Sequence, residues 1–360
     1  MGKKRIGILT SGGDCAGLNA VIRAAVHAAA EKNWEVIGLE DGTAGLLDRP
    51  LRYRVLNRAM FDTTVMRQGG TILGTTNKGN PFKFPMNDGT EKDRTGEIID
   101  GIQQLGLEAV IGIGGDGSMA ILRTLAQRGK FGLVCVPKTI DNDVGMTETS
   151  VGFETALYVA TEALDRLQPT AASHDRVMVL EVMGRDAGNI AISTGIAGGA
   201  DVILIPEIPY DIKKVAEKII KVRDTEQRNF ALVVVSEAVK TIEGGAKQME
   251  YKGGEKRFGG IGYHIGEQIA ELTGFETRVT VLGHVQRGAP PIPSDRLVAA
   301  AFGVRAVELV AEGKFDRMVA WSNRQVIDVP IEEAIASYQQ VDVKGPLVHT
   351  ARMLGICLGD

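Results

Sequence analysis

Two sets of residues in this chain have types and spacing suited to phosphate chemistry. In the first, Gly114-Gly115-Asp116-Gly117-Ser118 follows a strand-like run, Ala109 to Ile113, and leads at once into a helical stretch, Met119 to Arg128. Glycines there let the backbone approach a polyphosphate closely, and the N-terminus of a helix attracts anions. Asp116 stands at the strand's C-terminal end, where one carboxylate can hold Mg²⁺ directly or through water. Ser11-Gly12-Gly13-Asp14-Cys15-Ala16-Gly17 repeats the order of strand, glycine turn and helix. This turn after the first strand is neither a Walker loop nor G-x-G-x-x-G. Between the two turns the loop Gly69 to Asn80 offers hydroxyls, Asn77, Lys78 and Gly79. Each alone is also an ordinary tight turn or surface loop.

The second set gathers cations: Arg176, Arg185, Arg278, His284 and Arg287. Arginine suits a phosphate dianion because its planar fork donates bidentate hydrogen bonds. Several such arginines on a chain of net charge -4 point to a small phosphorylated substrate. Singly, each arginine reads better as half of a surface ion pair; their recurrence at strand ends reverses that for the group. Between the sets lies Val136-Pro137-Lys138-Thr139-Ile140-Asp141-Asn142-Asp143, two carboxylates in a turn-prone stretch after the apolar run Gly132 to Val136. Asp and Asn bond their own backbone and shape tight turns, so taken alone a simple Asx turn reads as well as a catalytic pair.

The elements that must position these residues alternate. Ile6 to Thr10, Trp34 to Leu39, Ala109 to Ile113, Gly132 to Val136, Val177 to Val182, Val202 to Ile205, Phe230 to Val235 and Thr277 to Leu282 read as strands. Helical stretches run from Leu18 to Lys32, Glu154 to Leu167, Ile212 to Arg223, Gly262 to Leu272 and Leu297 to Glu312, before a short C-terminal tail. Thr241 to Arg257 is polar and glycine-rich and reads as a loop or mobile segment. Alternating strands and helices imply a parallel sheet with helices on both faces, and ligands there sit at the C-terminal ends of strands. The recurrence of polar clusters at strand ends is stronger evidence than any one cluster.

At 360 residues the chain is long enough for about two domains, and 44% hydrophobic residues allow a large core. The net charge provides no bulk basic field for nucleic acid or an acidic membrane. No apolar run reaches the ~20 residues that span a bilayer. The N-terminus lacks a signal-peptide hydrophobic region, and Cys15, Cys135 and Cys357 show no pairing spacing. A cytoplasmic chain with reduced thiols is the expectation.

On Thr10 to Asp14, Gly114 to Ser118, Pro137 to Asp143, Met183-Gly184-Arg185 and Gly283 to Gly288 with Asp295-Arg296, the chain resembles the 6-phosphofructokinase family along essentially its whole length. The resemblance implies a phosphofructokinase fold of two doubly wound, Rossmann-like, three-layer α/β domains. Residues 1–150 plus 286–337 would bind the phosphoryl donor, and 151–285 plus 338–360 the sugar phosphate. It implies glycolytic phosphoryl transfer to the 1-hydroxyl of fructose 6-phosphate. Asp141 matches the general base, with Asp143 beside it to tune it; Thr139 matches a substrate-binding hydroxyl, and Asp116 the Mg²⁺ site. Gly13, Lys78, Gly79, Gly115, Gly117 and Ser118 would hold the donor. Arg185 would neutralise charge on the phosphoryl group in flight, and such positioning and electrostatics carry most of the rate in phosphoryl transfer. Ile140, Met183, Gly184, Glu237, His284, Val285, Gln286 and Arg287 would hold the sugar phosphate. Arg176 and Arg278 match residues contributed by a neighbouring subunit, so the site would be complete only in a homodimer or homotetramer.

The resemblance leaves two donors open. Pyrophosphate users resemble each other in having Asp after Gly-Gly-Asp, where it would repel the α-phosphate of ATP; Gly117 leaves that space open and favours ATP. They also have Lys before Thr-Ile-Asp, and Lys138 matches them. Thr43 and Asn77 fall where ATP enzymes have an aromatic ring and an arginine, so adenine contacts look weaker. Gly117 carries more weight, because a carboxylate excludes ATP whereas a lysine only adds attraction. ATP is the expected donor, pyrophosphate the alternative, and a catalytically silent sugar-phosphate-binding subunit the non-enzyme reading.

Overall fold

The computed structural model describes residues 3–77, 79–242, 248–250 and 256–360. The chain opens with β1 (Arg5–Thr10), α1 (Leu18–Glu31), β2 (Glu35–Leu39), β3 (Tyr53–Leu56), β4 (Phe84–Pro85), β5 (Glu91–Lys92) and α2 (Thr95–Gln104). It continues with β6 (Ala109–Gly114), α3 (Asp116–Gly129), β7 (Gly132–Pro137), α4 (Phe153–Ser173), β8 (Val177–Val182), α5 (Asn189–Ala197), β9 (Val202–Leu204) and α6 (Ile212–Asp224). Then come β10 (Ala231–Ser236), β11 (Gln248–Glu250), β12 (Lys256–Phe258), α7 (Ile261–Thr273), β13 (Thr277–Val281), α8 (Pro293–Ala311), β14 (Arg317–Ser322), β15 (Gln325–Pro330), α9 (Ile331–Ala336) and α10 (Pro346–Met353). No described helix is long and apolar enough to cross a membrane.

The chain divides into two compact units. The first comprises Met1–Thr139, Val144–Thr155 and Arg287–Tyr338; the second comprises Ile140–Asp143, Ala156–Gln286 and Gln339–Asp360. Within the described residues the first unit holds a seven-stranded sheet in the order β15-β14-β7-β6-β1-β2-β3. Its inner strands β14, β7, β6, β1 and β2 run parallel, and only the edge strands β3 and β15 are antiparallel. β1, β6 and β7 are buried at nearly every residue, as expected of parallel strands covered on both faces. Leu9, Val110, Leu133 and Met318 from the sheet pack with Ile98, Leu122 and Leu125 from α2 and α3.

The second unit is built on a parallel sheet in the order β13-β8-β10-β9. Val177, Val179, Val233 and Val235 form its core with Val215 and Ile219 of α6 and Ile261, Ile265 and Ile269 of α7. Both units are α/β with strands feeding helices, so strand C-terminal ends collect on one edge of each sheet.

Four local expectations are corrected. Residues after α8 are not a short tail: β14 and β15 form a hairpin, followed by two helices. The hairpin turns at Asn323 and Arg324, both with positive φ, the type I′ geometry that suits right-twisted strands. α3 begins at Asp116 rather than Met119, because Gly115 is extended and its carbonyl accepts from Met119 N at 3.0 Å. Asp116 and Gly117 are therefore first-turn helical residues. α4 runs through Pro169 to Ser173, past the expected end at Leu167. Within the segment read as a loop, residues 243–247 and 251–255 lie outside the described residues, while β11 pairs antiparallel with β12.

Candidate active site

The first unit sets the ends of β1, β6 and β7 side by side. Ser11 N donates to Ile113 O at 2.9 Å and Lys138 N to Gly114 O at 2.9 Å, so the three strand ends are tied in turn. Gly12, with φ 84°, occupies the left-handed region glycine favours; its N–H goes to Thr76 O at 3.0 Å, and Thr75 Oγ1 donates to its carbonyl at 2.7 Å. A side chain there would stand 3.3 Å from Ser118 Oγ and 3.4 Å from Lys138 Nζ. Lys138 is buried, at 4% exposure, and its ammonium donates to Gly13 O. The backbone of Gly12 and Gly13, the Ser118 hydroxyl and the Lys138 ammonium thus share one small volume beside the first turn of α3. The first N–H groups of that helix have no partner within it, which makes the place attractive to an anion.

Asp116 is half-buried at the first position of α3, and Gly117 next to it is exposed. A Cβ added to Gly117 meets nothing within 4 Å. Arg287, expected with the sugar phosphate, donates from Nη1 to Asp14 O at 2.9 Å, so within the first unit it lies against the Gly13-Asp14 turn. Gly79 lies in the same unit, seated on the ring of Phe84. Lys78 lies outside the described residues. Thr139 N donates to Val151 O at 3.2 Å at the end of this unit's first segment.

The second unit brings together Asp141 and the turn after β8. Asp141 and Asp143 are 3% and 7% exposed, unusually low for carboxylates. Their loop is held by its backbone: Asn189 Nδ2 donates to Asp141 O at 3.1 Å and Asn142 O at 3.3 Å, and Gln339 N donates to Asp143 O at 2.9 Å. Arg185 Nε lies 3.8 Å from Asp141 Oδ2, with the arginine side chain largely exposed. Arg185 N donates to Glu237 Oε1 at 3.1 Å, and Met183 N to Gln286 Oε1 at 2.8 Å. Asp141, Met183, Gly184, Arg185, Glu237 and Gln286 are therefore one cluster, whereas His284 and Val285 are exposed on the short helical turn Gly283–Gln286. Ile140 is buried beside Asp141.

Arg176 and Arg278 are not in that cluster. Arg176 precedes β8 and Arg278 stands near the start of β13, so both lie at the opposite end of the sheet from Arg185. Glu276 binds the two together, at 2.9 Å from Arg176 Nη2 and in contact with Arg278 Nη2. Asn189 and Gln339 were not singled out by sequence reasoning. An Asn opening a helix carries no sign that its amide closes on a loop 48 residues earlier. Glu181, buried two residues before Met183, caps α7 by accepting from Gly260 N and Gly262 N at 2.9 and 2.8 Å. Burial raises its pKa against those bonds, and Glu237 adds to the rise.

Residues 5–310 match the family described as Phosphofructokinase. A protein of Synechocystis sp. named ATP-dependent 6-phosphofructokinase 1 is 64% identical over 358 residues, which cover 99% of each chain. One of Chloroflexus aurantiacus, named ATP-dependent 6-phosphofructokinase, is 49% identical over 99% of this chain and 98% of its own. Among solved structures, the phosphofructokinase of Pichia pastoris in the T-state superposes with a TM-score of 0.80 at 27% identity; the match covers 93% of this chain and 36% of that much longer one. A pyrophosphate-dependent phosphofructokinase from Nitrosospira multiformis gives a TM-score of 0.81 at 21% identity, over 99% of this chain and 93% of its own, a likeness of fold.

Proposed function

Because the chain belongs to the phosphofructokinase family, we propose that it is an ATP-dependent 6-phosphofructokinase, an enzyme that passes the γ-phosphoryl of ATP to the 1-hydroxyl of fructose 6-phosphate and releases fructose 1,6-bisphosphate and ADP. The observation that carries the choice of ATP is Gly117. A Cβ there would meet nothing within 4 Å, at the second position of α3 and one residue before Ser118. A nucleoside triphosphate has room there for the phosphate nearest its ribose.

In this reading the first unit binds the donor. Gly13, Gly115, Gly117 and Ser118, with Lys78 and Gly79, hold its phosphates. Asp116 fits a resident Mg²⁺, an ion bound through one or two carboxylates, substrate phosphates and water rather than an all-protein cage. No group of three or more His, Cys, Asp or Glu among the described residues could hold a metal, which fits that mode of binding. When bound, Mg²⁺ would neutralise phosphate charge.

The second unit binds and activates the acceptor. Asp141 takes the proton of the 1-hydroxyl as that oxygen forms its bond to phosphorus and the bond from phosphorus to the ADP oxygen breaks. Buried and held at its carbonyl by Asn189, it is a fixed base rather than a mobile one. Arg185, 3.8 Å away, supplies a cation at the same reacting centre. Asp143 adds a like charge that tunes the base. Thr139, Met183, Glu237, His284 and Arg287 orient the sugar phosphate. Arg176 and Arg278, far from Arg185 along the sheet, would reach a sugar phosphate held by a neighbouring copy, so the working form is a homodimer or homotetramer of a cytoplasmic enzyme.

One observation favours pyrophosphate as donor. The Lys138 ammonium at the Gly13 turn could stabilise a short leaving phosphate. A coupled assay with fructose 6-phosphate and Mg²⁺, comparing ATP, ADP and pyrophosphate, separates the two. Turnover with ATP alone supports the proposal. Turnover with pyrophosphate alone replaces it with the reversible pyrophosphate reaction, and no turnover with any donor brings forward a silent sugar-phosphate-binding subunit.

A further inference from the structure

Gln286 sits where a sugar-phosphate contact is expected, but it is only 1% exposed. Its Oε1 accepts from Met183 N at 2.8 Å. Its Nε2 is buried with no partner among the described residues. A buried amide of this kind is retained at a cost, so the bond its oxygen makes calls for a reason.

The turn it holds is a strained one. Gly184 has φ 152°, and a Cβ there would stand 2.6 Å from Ala187 O. Arg185 follows with φ 49°, a left-handed conformation uncommon for a long side chain. The sheet order β13-β8-β10 places β8, which leads into this turn, between two neighbours. From beyond β13, Gln286 takes the N–H of Met183; from beyond β10, Glu237 takes the N–H of Arg185 at 3.1 Å. The turn is gripped from both sides, one residue on either side of Gly184. Such conformations persist where the surroundings over-determine them.

We propose that Gln286 is a positioning residue for Arg185, acting through the backbone of Met183, and that it does not touch the sugar phosphate. This rests on the phosphofructokinase reading above, so the unaltered protein must first turn over fructose 6-phosphate in the same assay; its failure there would count against that reading and not against the role of Gln286. Two variants then separate positioning from contact. Gln286→Met keeps length and apolar bulk but removes the acceptor. Misplacing a catalytic group slightly costs roughly ten- to a hundredfold in rate, so kcat should fall by about that much while the KM for fructose 6-phosphate stays within about threefold. Gln286→Glu keeps an acceptor oxygen, and burial favours its neutral, protonated form. It should restore kcat and KM to within about threefold of the parent, because the amide nitrogen it loses has no partner among the described residues.

A sugar-phosphate ligand would behave in the opposite way. In Gln286→Met the loss of a donating amide would then raise the KM for fructose 6-phosphate roughly ten- to a hundredfold, the worth of a hydrogen bond to a charged group. That rise, or an unchanged kcat in a folded Gln286→Met, overturns the proposal. Should the Met variant fail to fold by circular dichroism, the Glu variant decides alone. Failure of both to fold also overturns it, since a residue that only positions a turn is not needed for the unit to form.

Discussion

Gly117→Asp is the substitution from which most can be learned about the donor. The residue is exposed in the first turn of α3, and a Cβ there meets nothing within 4 Å. The fold therefore accommodates the side chain without moving a neighbour. Helix propensity improves when glycine is replaced, and a carboxylate in a first helical turn gains about 0.3–1 kcal/mol from the dipole. The thermal midpoint should stay level or rise slightly. The added carboxylate points into the space assigned to the donor's ribose-side phosphate. Two like charges about 4 Å apart repel by about 4 kcal/mol at an effective dielectric of 20 and by about 1 kcal/mol in bulk water. An exposed position lies toward the water limit, so about 1–3 kcal/mol is expected, or roughly a 5- to 150-fold loss in kcat/KM for ATP. Pyrophosphate places no group in that space, so any activity with it should change by less than about threefold. The check is the coupled assay with both donors on parent and variant, with circular dichroism to confirm folding. A folded variant whose kcat/KM for ATP is unchanged would refute the assignment of Gly117, and with it the strongest argument for ATP over pyrophosphate.

Asp141→Asn should cut turnover by about 10²- to 10⁴-fold, while calorimetry finds fructose 6-phosphate bound as before; turnover within tenfold of the parent removes it as the base. Arg278→Ala, which takes one cation from the pair on Glu276, should raise the KM for fructose 6-phosphate about tenfold or more with kcat little changed, and an unchanged KM ends its role. Phe84→Leu unseats Gly79, whose Cβ position lies 2.6 Å from the ring, and should raise the donor KM roughly threefold or more without touching that of the sugar; equal changes in both would count against a donor loop at Gly79. Cys15, fully buried, has its pKa pushed up to about 12 chiefly by burial, so a thiol reagent at about pH 8 should reach it only after unfolding. The fold favours its neutral form, so the stability tied to this thiol is complete below its ordinary value of about 9 and declines as pH rises toward 12; a denaturation midpoint that stayed level in Cys15→Ala and parent alike above pH 10 would contradict that sign.

How far the sequence discloses all this depends on whether a feature is local. β1, β6, β7, β8 and β10 are legible because strands covered on both faces lose their polar alternation and read as short apolar runs closed by Gly, Pro or Ser. The edge hairpin of β14 and β15 is harder, since β15 is half-exposed along most of its length and its turn is Asn-Arg rather than Asn-Gly. α5 is apolar on every side and carries β-branched residues, so no 3.6-residue period shows. α2 is interrupted by Gly96 and Gly101. Site residues at strand ends are readable because the parallel fold itself gathers such ends. Their supports are not: Lys138 reaches Gly13 across 125 residues and Gln286 reaches Met183 across 103, and neither pairing leaves a local pattern.

The same contrast explains why the site breaks local rules. Asn142, between the two carboxylates, has φ 50°, and Asn tolerates the left-handed region, so that conformation is at home in its own sequence even though Asn189 and Gln339 hold the loop from outside. Arg185 has nearly the same φ, at 49°, without that excuse. Its conformation comes from outside, through Glu237 on its own N–H and Gln286 on that of Met183. Burial repeats the point: Lys138, Asp141 and Asp143 are charged groups in places where charge is costly unless satisfied. Lys138 is satisfied by Gly13 O and Asp141 lies 3.8 Å from Arg185, partners that the local sequence does not show. Groups fixed before the substrate arrives need no reorganisation as charge moves in the transition state. The strain at Arg185 and the buried carboxylates are then two expressions of one design: the rigid sheets hold in place what the local sequence would otherwise leave loose.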